Sequence, residues 1–182
     1  MSDVFRIIDK YYDRSSPAYV LLVEHGRMVG KKSLELARRM EASGLDLQFI
    51  EEAALLHDVG IFMTDGPKMG CYGEKKYICH GYLGRELLDR EGLPLHGLVC
   101  ERHIGLGITV ADIERHNLPL PRREMVPLSM EEKIICYADK FYSKRMSSLH
   151  EEKTLEKVRQ EMLRYGADKL SIFDELHALF SK

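Results

Sequence analysis

The chain has 182 residues, 45% hydrophobic and 31% charged, which suits one globular domain with a sizeable core. Its formal net charge of −2 supplies no global basic field, so a nucleic acid polymer is not an expected partner. No apolar run reaches the ~18 residues of a membrane span, and the start, MSDVFRIIDKYYDR, does not read as a signal peptide. Cys71, Cys79, Cys100 and Cys136 form neither a C-x-x-C pair nor a zinc-finger spacing, so free thiols in a cytoplasmic protein without a membrane partner are the expectation.

The period along the chain is helical throughout, with no internal repeat and little β signal. A first helix is predicted over residues 4–12. Ser16-Pro17 reads as an N-cap with proline at the first helical position, opening a long helix that stops at Ser43-Gly44. Asp46 caps the next, LQFIEEAALLHDV, which Gly60 closes. Residues 61–79 carry three glycines and a proline and read as a long loop, with glycine hinges that suit a lid. Helices follow from His80 to Gly92 and from about Pro94 through His103. After Gly105 and Gly107 comes an irregular stretch with a short helix at TVADIERH. Ser129-Met-Glu-Glu132 is a capping-box signature for MEEKIICYADKFYSKR, and two helices over about 151–165 and 167–180 end the chain. The expected fold is all-α, one domain over 1–182, with a core at about 17–145 and helices 151–180 packed on it. Ile172, Leu176 and Phe180 would pack either on that core or on a second copy in a homodimer.

His57-Asp58 is the informative doublet. Adjacent helical residues point about 100° apart, yet at a last turn both can converge on a small object such as a metal ion. Further ligands must come from apolar faces or helix ends. His25 lies among Leu21, Leu22 and Val29. Asp139 lies between Ile135 and Tyr142, where a carboxylate is costly to bury unless paired or metal-bound. His80 starts a helix and His103 ends one. His96, His116, His150 and His177 carry no such signature.

The order His25, His57-Asp58, His80, His103, Asp139 resembles the HD-domain superfamily of metal-dependent phosphohydrolases, over about residues 20–145. CHGYLGRELL and CERHIGLGI resemble the family's third and fourth histidine segments. The resemblance implies a compact helical bundle in which His25, His57, Asp58 and Asp139 hold a first metal. Asp58 would bridge to a second, completed by His80 and His103. One or two divalent ions, whether iron, manganese, nickel, cobalt or zinc, fit such donors. Two positions depart from the family. Ile104 stands where many two-metal members have another histidine, and Ile61 where many have a lysine or arginine; both weaken a cyclic-dinucleotide assignment.

Two such ions would acidify a bridging water into a nucleophile and neutralise phosphate charge, making a small phosphorylated substrate, a nucleotide or related phosphoester, the expected partner. Lys140 and Arg102 are the expected phosphate-binding cations beside Asp139 and His103, chosen over Lys68, Lys75, Lys76 and Arg85. The same ligand order resembles the HD-type mixed-valence di-iron oxygenases, and a non-catalytic nucleotide-sensing module is the third alternative.

Overall fold

The computed structural model describes residues 3–40 and 44–181. Nine α-helices occupy these residues: α1 (Asp3–Tyr11), α2 (Pro17–Arg39), α3 (Leu47–Leu56), α4 (His80–Arg90), α5 (Pro94–Arg102), α6 (Val110–Arg115), α7 (Met130–Asp139), α8 (Leu155–Tyr165) and α9 (Ala167–Phe180). The fold is an all-α bundle. Its strands are a two-residue antiparallel pair, β1 (Asp65–Gly66) on β2 (Cys71–Tyr72).

The caps follow the side chains. Ser16 accepts the Tyr19 N–H at 3.1 Å, and Asp46 accepts that of Phe49 at 2.9 Å. Ser129 likewise accepts the Glu132 N–H at 3.1 Å, but only half of the expected capping box forms. Glu132 turns its carboxylate to the Leu128 N–H and to Arg102 instead. The reciprocal box forms at Thr109 and Asp112, opening α6.

Several boundaries differ from the sequence reading. α2 ends at Arg39, and the expected stop at Ser43 lies outside the described residues. α7 stops at Asp139 instead of running to Arg145. α3 ends at Leu56, and a 3₁₀ turn (Val59–Met63) follows, so Gly60 is no helix terminator. Its role is close approach. A Cβ there would fall inside contact distance of the His80 carbonyl and the Gly84 N–H, so glycine lets α4 lie directly on this turn. The segment 61–79 is not an open lid. Asp65 N–H bonds to the Lys75 carbonyl at 2.8 Å and Gly73 N–H to that of Thr64 at 3.0 Å, stitching its two arms together.

Two large apolar clusters share α2 and α3. One gathers Val29, Ile50, Ile134, Ile135, Val158, Phe173 and Phe180, so α8 and α9 contribute to the same cluster as α2, α3 and α7. The other gathers Ile8, Leu21, Leu22, Leu56, Leu87 and Leu88. His25 follows Leu22 and precedes Val29 along α2, at the seam of the two. A smaller cluster of Ile108, Ile113 and Met125 sits under the 104–125 segment. No described helix is long and apolar enough to cross a membrane.

Candidate metal centre

Backbone geometry explains why the doublet converges. His57 still has helical φ/ψ (−57°, −24°), but Asp58 leaves the helix at −107°, 10°. The break falls between them, so the ~100° divergence of helical neighbours does not apply. His103 caps the C-terminal end of α5, His80 opens α4, and Asp139 is the last residue of α7. Four elements thus deliver side chains from their ends, and His25 alone comes from mid-helix. Gly26, beside it, lets α2 pass close to the Leu55 backbone on α3; a Cβ there would stand 2.9 Å from the Leu55 Cα.

All six predicted ligand residues meet, and all are buried. Asp58 stands at the middle with its two oxygens facing different partners. Oδ2 lies 3.6 Å from His25 Nε2 and 3.3 Å from His57 Nε2. Oδ1 lies 3.2 Å from His80 Nε2 and 3.3 Å from His103 Nε2. Asp139 Oδ1 joins the first group, 2.9 Å from His25 Nε2 and 3.5 Å from His57 Nε2. Three imidazoles are oriented from behind by carbonyls three residues earlier. His57 Nδ1 lies 2.6 Å from the Ala54 oxygen, His80 Nδ1 2.6 Å from that of Tyr77, and His103 Nδ1 2.8 Å from that of Cys100. An N–H donated from Nδ1 leaves the Nε2 lone pair facing inward, the tautomer a metal ligand needs. Buried thiols reinforce these turns: Cys100 donates to the His57 carbonyl at 3.0 Å and Cys136 to that of His103 at 3.3 Å. All four cysteines are free and buried.

The donors fit a divalent ion. Buried His57 Nε2 makes no hydrogen bond and faces the Asp58 and Asp139 carboxylates, an expensive state for a polar atom unless something binds there. Electrostatics agree. Burial works against ionising Asp58 and Asp139, yet Lys144 and His57 around the former, and Lys140 and Lys144 around the latter, hold both carboxyls well below the usual carboxylate range. Burial also disfavours a charged His57, but the Asp58 and Asp139 carboxylates outweigh it and raise the imidazole to about 9. Burial, aided by the neighbouring His57, pulls His103 down to about 3, and burial lowers His25.

The two predicted cations part ways. Lys140 reaches the cluster, its Nζ 2.7 Å from Asp139 Oδ2 and 3.1 Å from the His103 carbonyl. Arg102 does not. Its guanidinium grips both oxygens of buried Glu132, at 2.9 and 3.1 Å, and that carboxylate takes up its charge. Arg85 is likewise committed to buried Glu101. The cation missed from sequence is Lys144, whose Nζ sits 2.7 Å from Asp58 Oδ2 and 2.9 Å from Oδ1. It supplies from another segment the positive charge that Ile61 does not. α7 ends at Asp139, and that ending is what redirects Lys144 toward Asp58. Tyr77 packs against the His80 ring at 4.6 Å between centroids, while Tyr72 is 80% exposed. His96 is buried against Phe49 and 3.4 Å from Glu52, apart from the cluster.

The centre opens into a cleft of about 760 Å³ whose lining includes His80, Asp139, Lys140 and Lys144, with Ile104, Ile108, Leu118 and Met162 forming an apolar wall. That volume is in the range of small-molecule sites.

Comparison with known proteins agrees with this geometry: the HD domain family matches residues 22–144. The chain belongs to the HD domain family. An uncharacterized protein of Methanocaldococcus jannaschii is 36% identical over 121 residues, 65% of this chain and 64% of that protein. A tRNA (cytidine(56)-2'-O)-methyltransferase of Thermoplasma volcanium is 27% identical over 177 residues, 96% of this chain and 45% of the enzyme. Its namesake in Picrophilus torridus is 30% identical over 131 residues, 71% and 34%. The HD-domain chain therefore spans from about a third to under two thirds of the curated relatives it matches. No solved structure matches it.

Proposed function

We propose that this HD-domain protein is a metal-dependent phosphohydrolase acting on a phosphoester of a small nucleotide or related metabolite. The observation that carries the reading is the division of Asp58, each oxygen facing its own pair of inward-turned imidazoles. His25, His57, Asp58 and Asp139 would hold one divalent ion, and Asp58, His80 and His103 a second. Bound there, such ions supply an acidified water and neutralise phosphate charge.

The chain's own groups do the rest. Nδ1 contacts to the Ala54, Tyr77 and Cys100 carbonyls fix three proposed ligand rings before any ion arrives, so these rings need not turn when one binds. Lys140, braced by Asp139 and the His103 carbonyl, presents a positive charge at the cleft floor for a phosphate oxygen. The apolar wall receives the uncharged part of the substrate and thins the water around the phosphate. The two methyltransferases share at most 45% of their length with this chain, so methyl transfer is not carried over. The RNA substrate in their name nevertheless makes RNA-derived phosphoesters, such as nucleoside 2',3'-cyclic phosphates, worth testing beside mononucleotides. The same histidine-rich donors accept iron, which keeps O₂-dependent oxidation as a second reading.

The deciding experiment is metal analysis of protein purified without added metal, followed by a phosphoester panel with manganese, cobalt, nickel, iron or zinc, with and without O₂. Phosphate release that depends on metal and not on O₂ is the expected result. Undiminished activity after exhaustive chelation would overturn the hydrolytic centre, and turnover that stops without O₂ would favour the oxygenase.

A further inference from the structure

The two lysines at the centre hold their carboxylates differently. Of the two Asp139 oxygens, Lys140 bonds to Oδ2, while Oδ1 faces His25 and His57. It leaves the ligand oxygen open. Lys144 lies within 2.7 and 2.9 Å of both Asp58 oxygens, the same two atoms that face the four imidazoles. An ammonium on both oxygens competes with any cation they would bind.

Charge points the same way. Without metal, the carboxylates of Asp58 and Asp139 each have an ammonium partner, Lys144 and Lys140. Adding a dication at Asp58 makes Lys144 a like charge in a water-poor site. Lys144 has somewhere to go. Its side chain is 19% exposed, it lines the cleft, and the Tyr77 ring stands 5.9 Å from its Nζ.

We infer that Lys144 has two stations: in the metal-free protein it is the counter-ion of Asp58, and on metal loading it turns into the cleft and becomes a substrate-binding cation for a phosphate oxygen. This rests on the metal-centre reading above. A lysine suits the role because its charge rides on a flexible four-carbon stem.

The test measures manganese affinity by chelator competition, and then inorganic phosphate affinity of the manganese-loaded protein, for wild type, Lys144→Met and Lys140→Met. Losing the competitor should tighten manganese binding by roughly tenfold in Lys144→Met, the size of one charge-assisted bond, and weaken phosphate binding by a similar factor. Lys140→Met, which removes an outer support, should instead loosen manganese by roughly tenfold. Wild-type protein that binds manganese while Lys144→Met binds it no more tightly would overturn the counter-ion station. Unchanged phosphate affinity in Lys144→Met would overturn the second station. Wild-type protein that binds no divalent ion would instead overturn the metal centre itself. If Lys144→Met does not fold, Lys144→Gln is read by the same criteria, and Lys144→Arg, which keeps a cation, should stay near wild type in both measurements.

Discussion

Asp58→Asn tests the centre most directly, because the two side chains have nearly the same shape and differ in charge. In the metal-free protein the substitution leaves the Lys144 ammonium and the imidazolium of His57 without their nearest anion. Breaking a fully buried pair costs about 3–5 kcal/mol, but Lys144 is 19% exposed and can turn to water, so about 2 kcal/mol is the working figure. For a chain of this size that is a fall in Tm of about 4–8 °C. The second consequence is larger. A saturating ion at about one hundred times its Kd stabilises the wild type by about 2.7 kcal/mol, a rise of about 5–11 °C. Asparagine keeps one oxygen but puts an NH2 donor in place of the other and removes the charge both proposed sites share, so that rise should shrink sharply. Thermal unfolding by circular dichroism with chelator and with manganese reads both quantities, and elemental analysis counts the ions. A variant that keeps its full metal content and the whole manganese-induced rise would refute the bridging role of Asp58, whatever its activity.

Other outcomes follow from the same contacts. With His57 held up to about 9 by its carboxylates, metal uptake at neutral pH must displace a proton, so calorimetry in buffers of different ionisation enthalpy should detect proton release, and affinity should fall as pH drops below about 9. Burial opposes the charge on Asp112, yet the Thr109 N–H and the Lys169 ammonium bring it down to about 2. Its contribution is therefore complete above an unfolded value of 3.8 and lost as pH falls through about 2; Asp112→Asn should cost about 1 kcal/mol at pH 7 in urea unfolding, and less as pH approaches 2. Gly60→Ala forces a methyl into the His80 carbonyl, so it should cost about 1–3 kcal/mol and lower the metal affinity of the His80 side. His96→Ala should lower Tm through its lost packing on Phe49 while leaving metal content as in wild type.

The legible parts of the fold were those decided by local chemistry. Ser16, Asp46 and Ser129 each announce a helix start through a side-chain acceptor, and each caps one. The six candidate ligand residues could be picked because polar groups on apolar faces or at helix ends are costly without a purpose, and the structure gathers all six. What failed was long-range pairing. Nothing local says that Arg102 will be claimed by Glu132, thirty residues on, since both lie on surfaces that only the packing of α5 against α7 brings together. Gly60 looked like a helix stop because glycine marks both stops and close approaches, and only the position of α4 decides which.

Lys144 shows how a small error in a boundary becomes an error in chemistry. Extending α7 to Arg145 puts residue 144 about one and a half turns beyond Asp139, on a helical face of its own. The helix ends at Asp139 instead, and the turn that follows brings the Lys144 ammonium back over the α3 end, onto a carboxylate eighty-six positions earlier in the chain. The termination has a local consequence too. It leaves Asp139 at a helix C-terminus, where partial negative charge gathers and an anion is disfavoured, so the two lysines that close the turn are what make the site tenable without metal. The same break that hid Lys144 from a periodic reading thus creates the need for it. Shifting the end of α7 by even one turn would deprive Asp58 of its counter-charge without altering a single proposed ligand.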